Sequence, residues 1–132
     1  MKKILVFCLL AFIFWSCADE EKEVQENAYA YLNAMANYQV SEAAHYATDK
    51  TCETTLKVAE KLLTLVDSSY IASDTPATID INEVLFTSDS TAEVKYTKNT
   101  PIKKDITGVL QMVKCGNKWL AHVTLHKKRS EF

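Results

Sequence analysis

Val24, Ala28, Tyr31, Met35 and Tyr38 recur at spacings of four, three, four and three, while Glu26, Asn33 and Asn37 fall off that line. An apolar stripe with that repeat follows the turn of a helix, and it predicts an amphipathic helix over about 21–37. Ser41 is placed to cap a short second helix in "EAAHYAT", and Asp49 or Thr51 a third, because a side-chain oxygen there can accept from the first free N–H groups. Cys52, Leu56, Ala59, Leu63 and Val66 give the third helix one apolar face. Beyond "DSSYIASDTPAT", a turn-rich bridge around Pro76, the period drops to two. "TIDINEVLF", "TAEVKYTK", "DITGVLQMVKC" and "KWLAHVTLHK" read as strands, with turns at "SDS" (88–90) and at Gly116 and Asn117, the latter a two-residue hairpin loop. Helices followed by an antiparallel meander of about four strands predict an α+β domain.

The hairpin loop also sets a register. It places Leu110 opposite Val123, Met112 opposite Ala121 and Lys114 opposite Trp119, and one side of the hairpin reads as apolar throughout. The other side carries Val109, Val113, Cys115 and Leu120 among polar residues. That face is either covered by the bridge or the C-terminal tail, or pairs with a second copy, as in a homodimer through the sheet, or with a partner protein. In the first strand, Ile79, Ile81 and Leu85 lie in phase with Glu83 and put Asp80 on the opposite side. "NEV" breaks the alternation where a bulge would carry Glu83 outward to an edge position.

Ahead of these elements the pattern is of another kind. Lys2 and Lys3 precede an apolar run over 4–15 and the small Ser16, the outline of a secretory signal peptide. The alternative, a membrane-spanning helix, needs about 20 apolar residues, more than this run supplies. "FWSC" resembles a bacterial lipobox, and that resemblance implies that Cys17 receives a diacylglyceryl group and becomes the new N-terminus. The expected organisation is a leader over 1–16, a lipidated cysteine with an acidic tether over 17–22, and one domain over 23–132. One acyl chain holds a protein only marginally, whereas two or three anchor it firmly. Asp19, Glu20 and Glu21, with Glu23, read as a flexible leash extended by like-charge repulsion. They also resemble the signal that sends Bacteroidetes lipoproteins to the outer face of the outer membrane. The expected location is therefore the outer membrane, cell-surface exposed, with the periplasmic leaflet as the alternative.

Composition narrows the partners. Cleavage takes Lys2 and Lys3 from the 15 basic residues and none of the 17 acidic ones, a net charge of about −4 that lacks the basic excess of a nucleic-acid binder. The clusters "IKKD" and "HKKRSEF" then read as a solvated turn and tail. About 115 residues suffice for one core and not for two. With Cys8 removed and Cys17 acylated, Cys52 and Cys115 remain as a pair in a disulfide-permissive compartment. The register sets Cys115 opposite the Trp119 side, and helices packed on that side leave the sheet between the sulfurs, so two free thiols are expected over a bridge. Gly108 and Gly116 are the only glycines, too few for a phosphate-cradling loop. His122 and His126 are spaced for one zinc ion on a helix, but a strand separates them by about 13 Å. His45 has no acidic or cysteine partner nearby. No metal site or cofactor is expected.

The order of elements, "YLNAMANYQVSEAAHYAT" followed by paired strands ending in "CGNKWLAHVTL", resembles the NTF2-like (cystatin-like) fold, and specifically the small Bacteroidetes lipoproteins grouped as DUF4878. The phrase "YQVSEAAHYAT" and the turn from Gly116 to Trp119 carry that resemblance over roughly 24–126. It implies a curved sheet wrapped around the helices, often enclosing a cone-shaped pocket, and no particular activity. Some enzymes of this fold set an Asp or His base against a Tyr donor, which draws Asp80, Glu83, Tyr96 and His122 into view. The strand alternation argues against an acid in the cavity, and no catalytic residue is expected. Tyr31, Tyr38, Tyr96, Met112 and Trp119 remain as either plain core or the lining of a small pocket. The expected role is non-catalytic binding of a small molecule or a protein by a lipid-anchored envelope domain. The alternatives are an isomerase or dehydratase, and a structural subunit of an envelope assembly.

Overall fold

The computed structural model describes the backbone of residues 2–123 and side chains from Asp19 to Val123. His126 and the predicted end of the last strand lie outside the described residues. α1 (Lys2–Ala36) is one continuous helix, starting well before residue 21. Asp19, Glu20 and Glu21 are thus helical, not an extended leash: glutamate is a good helix former, and Glu20 is held by Lys114, Nζ to Oε1 at 2.5 Å. Among the described residues no helix is long and apolar enough to cross a membrane.

α1 ends without a glycine. The N–H of Gln39 donates to the carbonyl of Ala34 at 2.8 Å and that of Tyr38 to Met35 at 3.2 Å, the paired bonds of a Schellman stop. Tyr38 occupies its left-handed position with φ 62°, a conformation that costs a non-glycine residue about 1–2 kcal/mol. Tyr38 therefore leaves the stripe of Val24, Ala28 and Tyr31, which are buried, and points instead to the bridge.

Ser41 caps nothing: α2 (Val40–Ala43) starts before it, with Gln39 at its N-cap, and passes into a 3₁₀ turn over Ala44–Tyr46. The cap of the third helix is neither Asp49 nor Thr51 but Thr48, whose hydroxyl accepts from the N–H of Thr51 at 3.2 Å. This helix runs as α3 (Asp49–Thr51), a π turn (Cys52–Leu56) and α4 (Lys57–Leu63). Within the bridge, Asp67 caps α5 (Ser68–Ser73).

β1 (Thr78–Ser88), β2 (Thr91–Asn99), β3 (Ile106–Cys115) and β4 (Lys118–Ala121) pair antiparallel in the order β1-β2-β3-β4. Met112 faces Ala121 and Lys114 faces Trp119, the register set by a glycine-first loop in which Gly116 has φ 63°. β4 stops short of a Leu110 to Val123 pair. Its free edge is closed by the start of the third helix: Thr48 N–H donates to Ala121 O at 2.9 Å, Val123 N–H to Thr51 Oγ1 at 2.9 Å, and Thr55 Oγ1 to Val123 O at 2.7 Å. Such bonds blunt an edge that would otherwise seek another strand.

A bulge at Asn82 shifts the β1 register between Ile81 and Glu83. One extra residue exchanges the faces of everything after it. Val84 and Phe86 therefore lie opposite buried Val94 and Ala92, while Leu85 and Glu83 turn outward; Leu85 does not join Ile79 and Ile81. Glu83 sits on the edge strand, 3.3 Å from Lys95 across it.

α1 lies along the inner face of this curved sheet. Glu20 meets Lys114 beside the two turns, where Lys114 N–H also donates to Ser90 O at 2.8 Å. Asn27 Nδ2 reaches Trp119 O in the middle. Asn37 exchanges two bonds with the backbone of Ala77 at the start of β1. The helix thus descends from the turn end of the sheet to the open end, where β1 begins and the 100–105 connection lies.

Candidate functional site

The concave side of the sheet is where the five candidate pocket residues converge or fail to. Trp119 and Met112 are fully enclosed and Tyr31 is 4% exposed. They share the interior with the small Ala28, Ala92 and Ala121, also fully buried, a large-against-small packing that leaves the cone occupied by the protein itself. Phe86 stands edge-on to Trp119 with ring centroids 5.6 Å apart, a favoured aromatic geometry. Among the described residues the indole N–H of Trp119 has no hydrogen-bond partner. Burial, with the neighbouring Tyr96 and Cys52, pushes the Tyr31 phenol up to about 12, so it stays protonated.

Tyr96 is half-buried and its ring covers Gly108, the residue facing it on β3: a Cβ at Gly108 would stand 2.5 Å from its Oη. The glycine is a slot for the ring. Tyr38 belongs to a separate arrangement at the open end. Its hydroxyl donates to Asp74 Oδ2 at 2.6 Å, and this bond, helped by Thr100, holds the buried Asp74 carboxyl below its ordinary value. Burial, then the carboxylate itself, raises the Tyr38 phenol. A carboxylate held this low is a poor base at neutral pH. The pair latches the end of α1 to the bridge.

The other candidates do not assemble either. Asp80 and Glu83 are exposed, Glu83 in its ion pair. His122 Nδ1 lies 3.0 Å from Thr48 Oγ1, beside the closed edge of β4. Cys52 and Cys115 are free thiols on opposite faces of the sheet. Burial, then Asp49 and Glu53, raises the Cys52 thiol, which makes it a weak nucleophile. Among the described residues no group of three His, Cys, Asp or Glu side chains is placed to hold a metal ion.

The chain was compared with known proteins. No protein-family model and no curated protein matches it. Among solved structures, a Campylobacter jejuni protein described as an NTF2-like transpeptidase superposes with a TM-score of 0.58 at 10% identity, over 76% of this chain and 97% of the other. The fold is NTF2-like. An Erwinia carotovora ketosteroid isomerase-like protein reaches a TM-score of 0.49 at 15% identity, over 76% and 90% of the two chains. At such identities the likeness is one of fold alone.

With its concave side filled, this NTF2-like domain has its open features outside the cone. A hollow of about 450 Å³ at the turn end is lined by Glu20, Phe86, Ser88, Asp89 and Lys114. A groove of about 790 Å³ crosses the outer sheet face at Glu83, Lys95 and Val109. Another of about 760 Å³ follows α1 and α2 past Tyr29, Tyr38 and Tyr46. Exposed apolar side chains are spread over the surface, Val109 and Ile102 among them at 60% and 54%, but three lie close together in sequence: Val58, Leu62 and Leu65 are 41%, 57% and 80% exposed. They stand at i, i+4 and i+7, Val58 and Leu62 on α4 and Leu65 in the turn that ends it, where Leu65 N–H donates to Leu62 O at 3.0 Å, and so lie along one side of this stretch. The opposite side of the same stretch carries Leu56, buried, with Ala59 and Leu63 against the core. The periodicity of Cys52, Leu56, Ala59 and Leu63 gives that inner face, and "VAEKLLTL" carries the outer set as well.

Proposed function

We propose that this NTF2-like chain is a lipid-anchored envelope domain of the DUF4878 kind that binds a protein partner without catalysis, and that the outer stripe of α4 is its contact. The observation that carries this reading is the exposure of Val58 and Leu62 on α4 and of Leu65 in the turn that follows it. Three apolar side chains at that spacing match the anchors by which a helix seats in a groove, and water contact with them is costly at roughly 25 cal/mol per Å². Occupation of the cone by Trp119, Met112 and Tyr31 favours a protein surface over an enclosed small molecule. The lipobox-like "FWSC" supports the anchor, and the acidic residues that follow support display on the outer membrane.

A photo-crosslinking residue at position 62, introduced in cells that make the protein, tests the contact. The expected result is a discrete adduct that disappears with Leu65→Glu, a surface change that shifts folding stability by no more than about 0.5 kcal/mol. No adduct, or one indifferent to Leu65→Glu, refutes the stripe as the contact.

A further inference from the structure

The lipid anchor and the body of the domain are joined almost without slack. Glu20 pairs with Lys114 of β3, the helix that carries it runs without a break from position 17 to Ala36, and Cys17 is three residues before Glu20. At 1.5 Å of rise per residue this is about 4.5 Å of helix, less than one turn. A flexible tether would let the domain tumble over the bilayer; one helical turn that runs directly into the buried face of Val24 and Ala28 restricts that motion.

Resting on the lipid-anchor reading, we propose that the domain stands on the membrane in one orientation, with the turn end of the sheet toward the lipid headgroups and the open end away from them. The residues placed at the surface are Ser88, Asp89 and Ser90 of the first turn, Gly116 and Asn117 of the second, and Lys118. Ser88, Asp89, Ser90 and the Gly116 to Lys118 turn are exposed and polar, so this end abuts the headgroups without entering the hydrocarbon. β3 spans ten residues from this end to the other, which at about 3.3 Å each sets the open end roughly 30 Å farther out. From Thr55, bonded to Val123, the chain leads through α4 to Asp74 at the open end, so the orientation presents the apolar stripe of α4 away from the bilayer.

The native thiol of Cys115, exposed beside the second turn, supplies a probe. The full chain with its leader is made in a bacterial host that processes lipoproteins, and its N-terminal peptide is analysed for lipid on Cys17 by mass spectrometry. The lipidated protein is reconstituted into phosphatidylethanolamine and phosphatidylglycerol vesicles containing headgroup spin-labelled lipid. A fluorophore is placed on Cys115 in a Cys52→Ala variant, or on Lys104→Cys in a variant carrying Cys52→Ala and Cys115→Ala, each shown by its melt to be folded. Quenching several-fold stronger at 115 than at 104 is expected. Lys114→Glu should shrink that contrast, and adding Glu20→Lys should restore it. Lipid on Cys17 with equal or reversed quenching overturns the orientation alone. An unmodified Cys17 overturns the anchor and the orientation with it.

Discussion

Replacing Trp119 separates what its ring contributes from what its N–H costs. The side chain is fully buried and its indole nitrogen has no partner among the described residues, so the two contributions have opposite sign. Trp119→Ala removes the largest body in the cone, and core truncations of this size cost about 3–5 kcal/mol. A domain of this length is stable by only about 5–15 kcal/mol, so the melting temperature should fall by roughly 15–30 °C. Trp119→Phe keeps one ring against Phe86 and eliminates the buried donor, whose desolvation costs about 1–3 kcal/mol. The lost ring volume offsets that gain, and the net change should lie within about 1.5 kcal/mol of wild type. Urea unfolding followed by circular dichroism measures both. If Trp119→Phe is as damaging as Trp119→Ala, the ring packing alone governs the site and the orphan N–H is of no consequence. A fully folded, unshifted Trp119→Ala would mean that the cone is not filled by this residue at all.

Tyr38→Phe should cost about 1.5–3 kcal/mol at pH 7 by depriving the Asp74 carboxylate of its bond. Because Asp74 titrates below its unfolded value near 3.9, the stability it adds is whole above about pH 4 and lost below, so wild type and variant should converge in acid; parallel curves from pH 7 to pH 2 would refute the latch. Thr51→Val keeps the shape but leaves Val123 N–H without its acceptor, and should cost about 1–3 kcal/mol while raising amide exchange at Val123; a neutral result means the β4 edge is closed without it. Gly108→Ala forces the Tyr96 ring aside and should cost about 1–3 kcal/mol, and the cost should largely vanish in a Tyr96→Ala background, as a double-mutant cycle would show.

Periodicity located the core of α1, the third helix and the four strands, though not the start of α1 or α5 inside the bridge, and the glycine-first loop at Gly116 determined which β3 residue faces which on β4. Both are local: a helix repeats every 3.6 residues, and a two-residue loop leaves one register open. The break at "NEV" also marked the bulge, though not its consequence, since a change of phase is visible only against the neighbouring strand. Lys95 and Val94 therefore decided that Glu83 faces outward and Val84 inward. Tyr38 continues the stripe of α1 in the sequence, yet the tertiary structure makes it a left-handed stop, because Asp74, 36 residues later, offers its hydroxyl a partner. The acidic run reads as a leash until Lys114 appears beside Glu20, a pairing across 94 residues. On α4 two apolar stripes compete for the core. Periodicity shows which side chains share a face, and only the packed sheet decides which face is covered, because burial depends on what stands opposite.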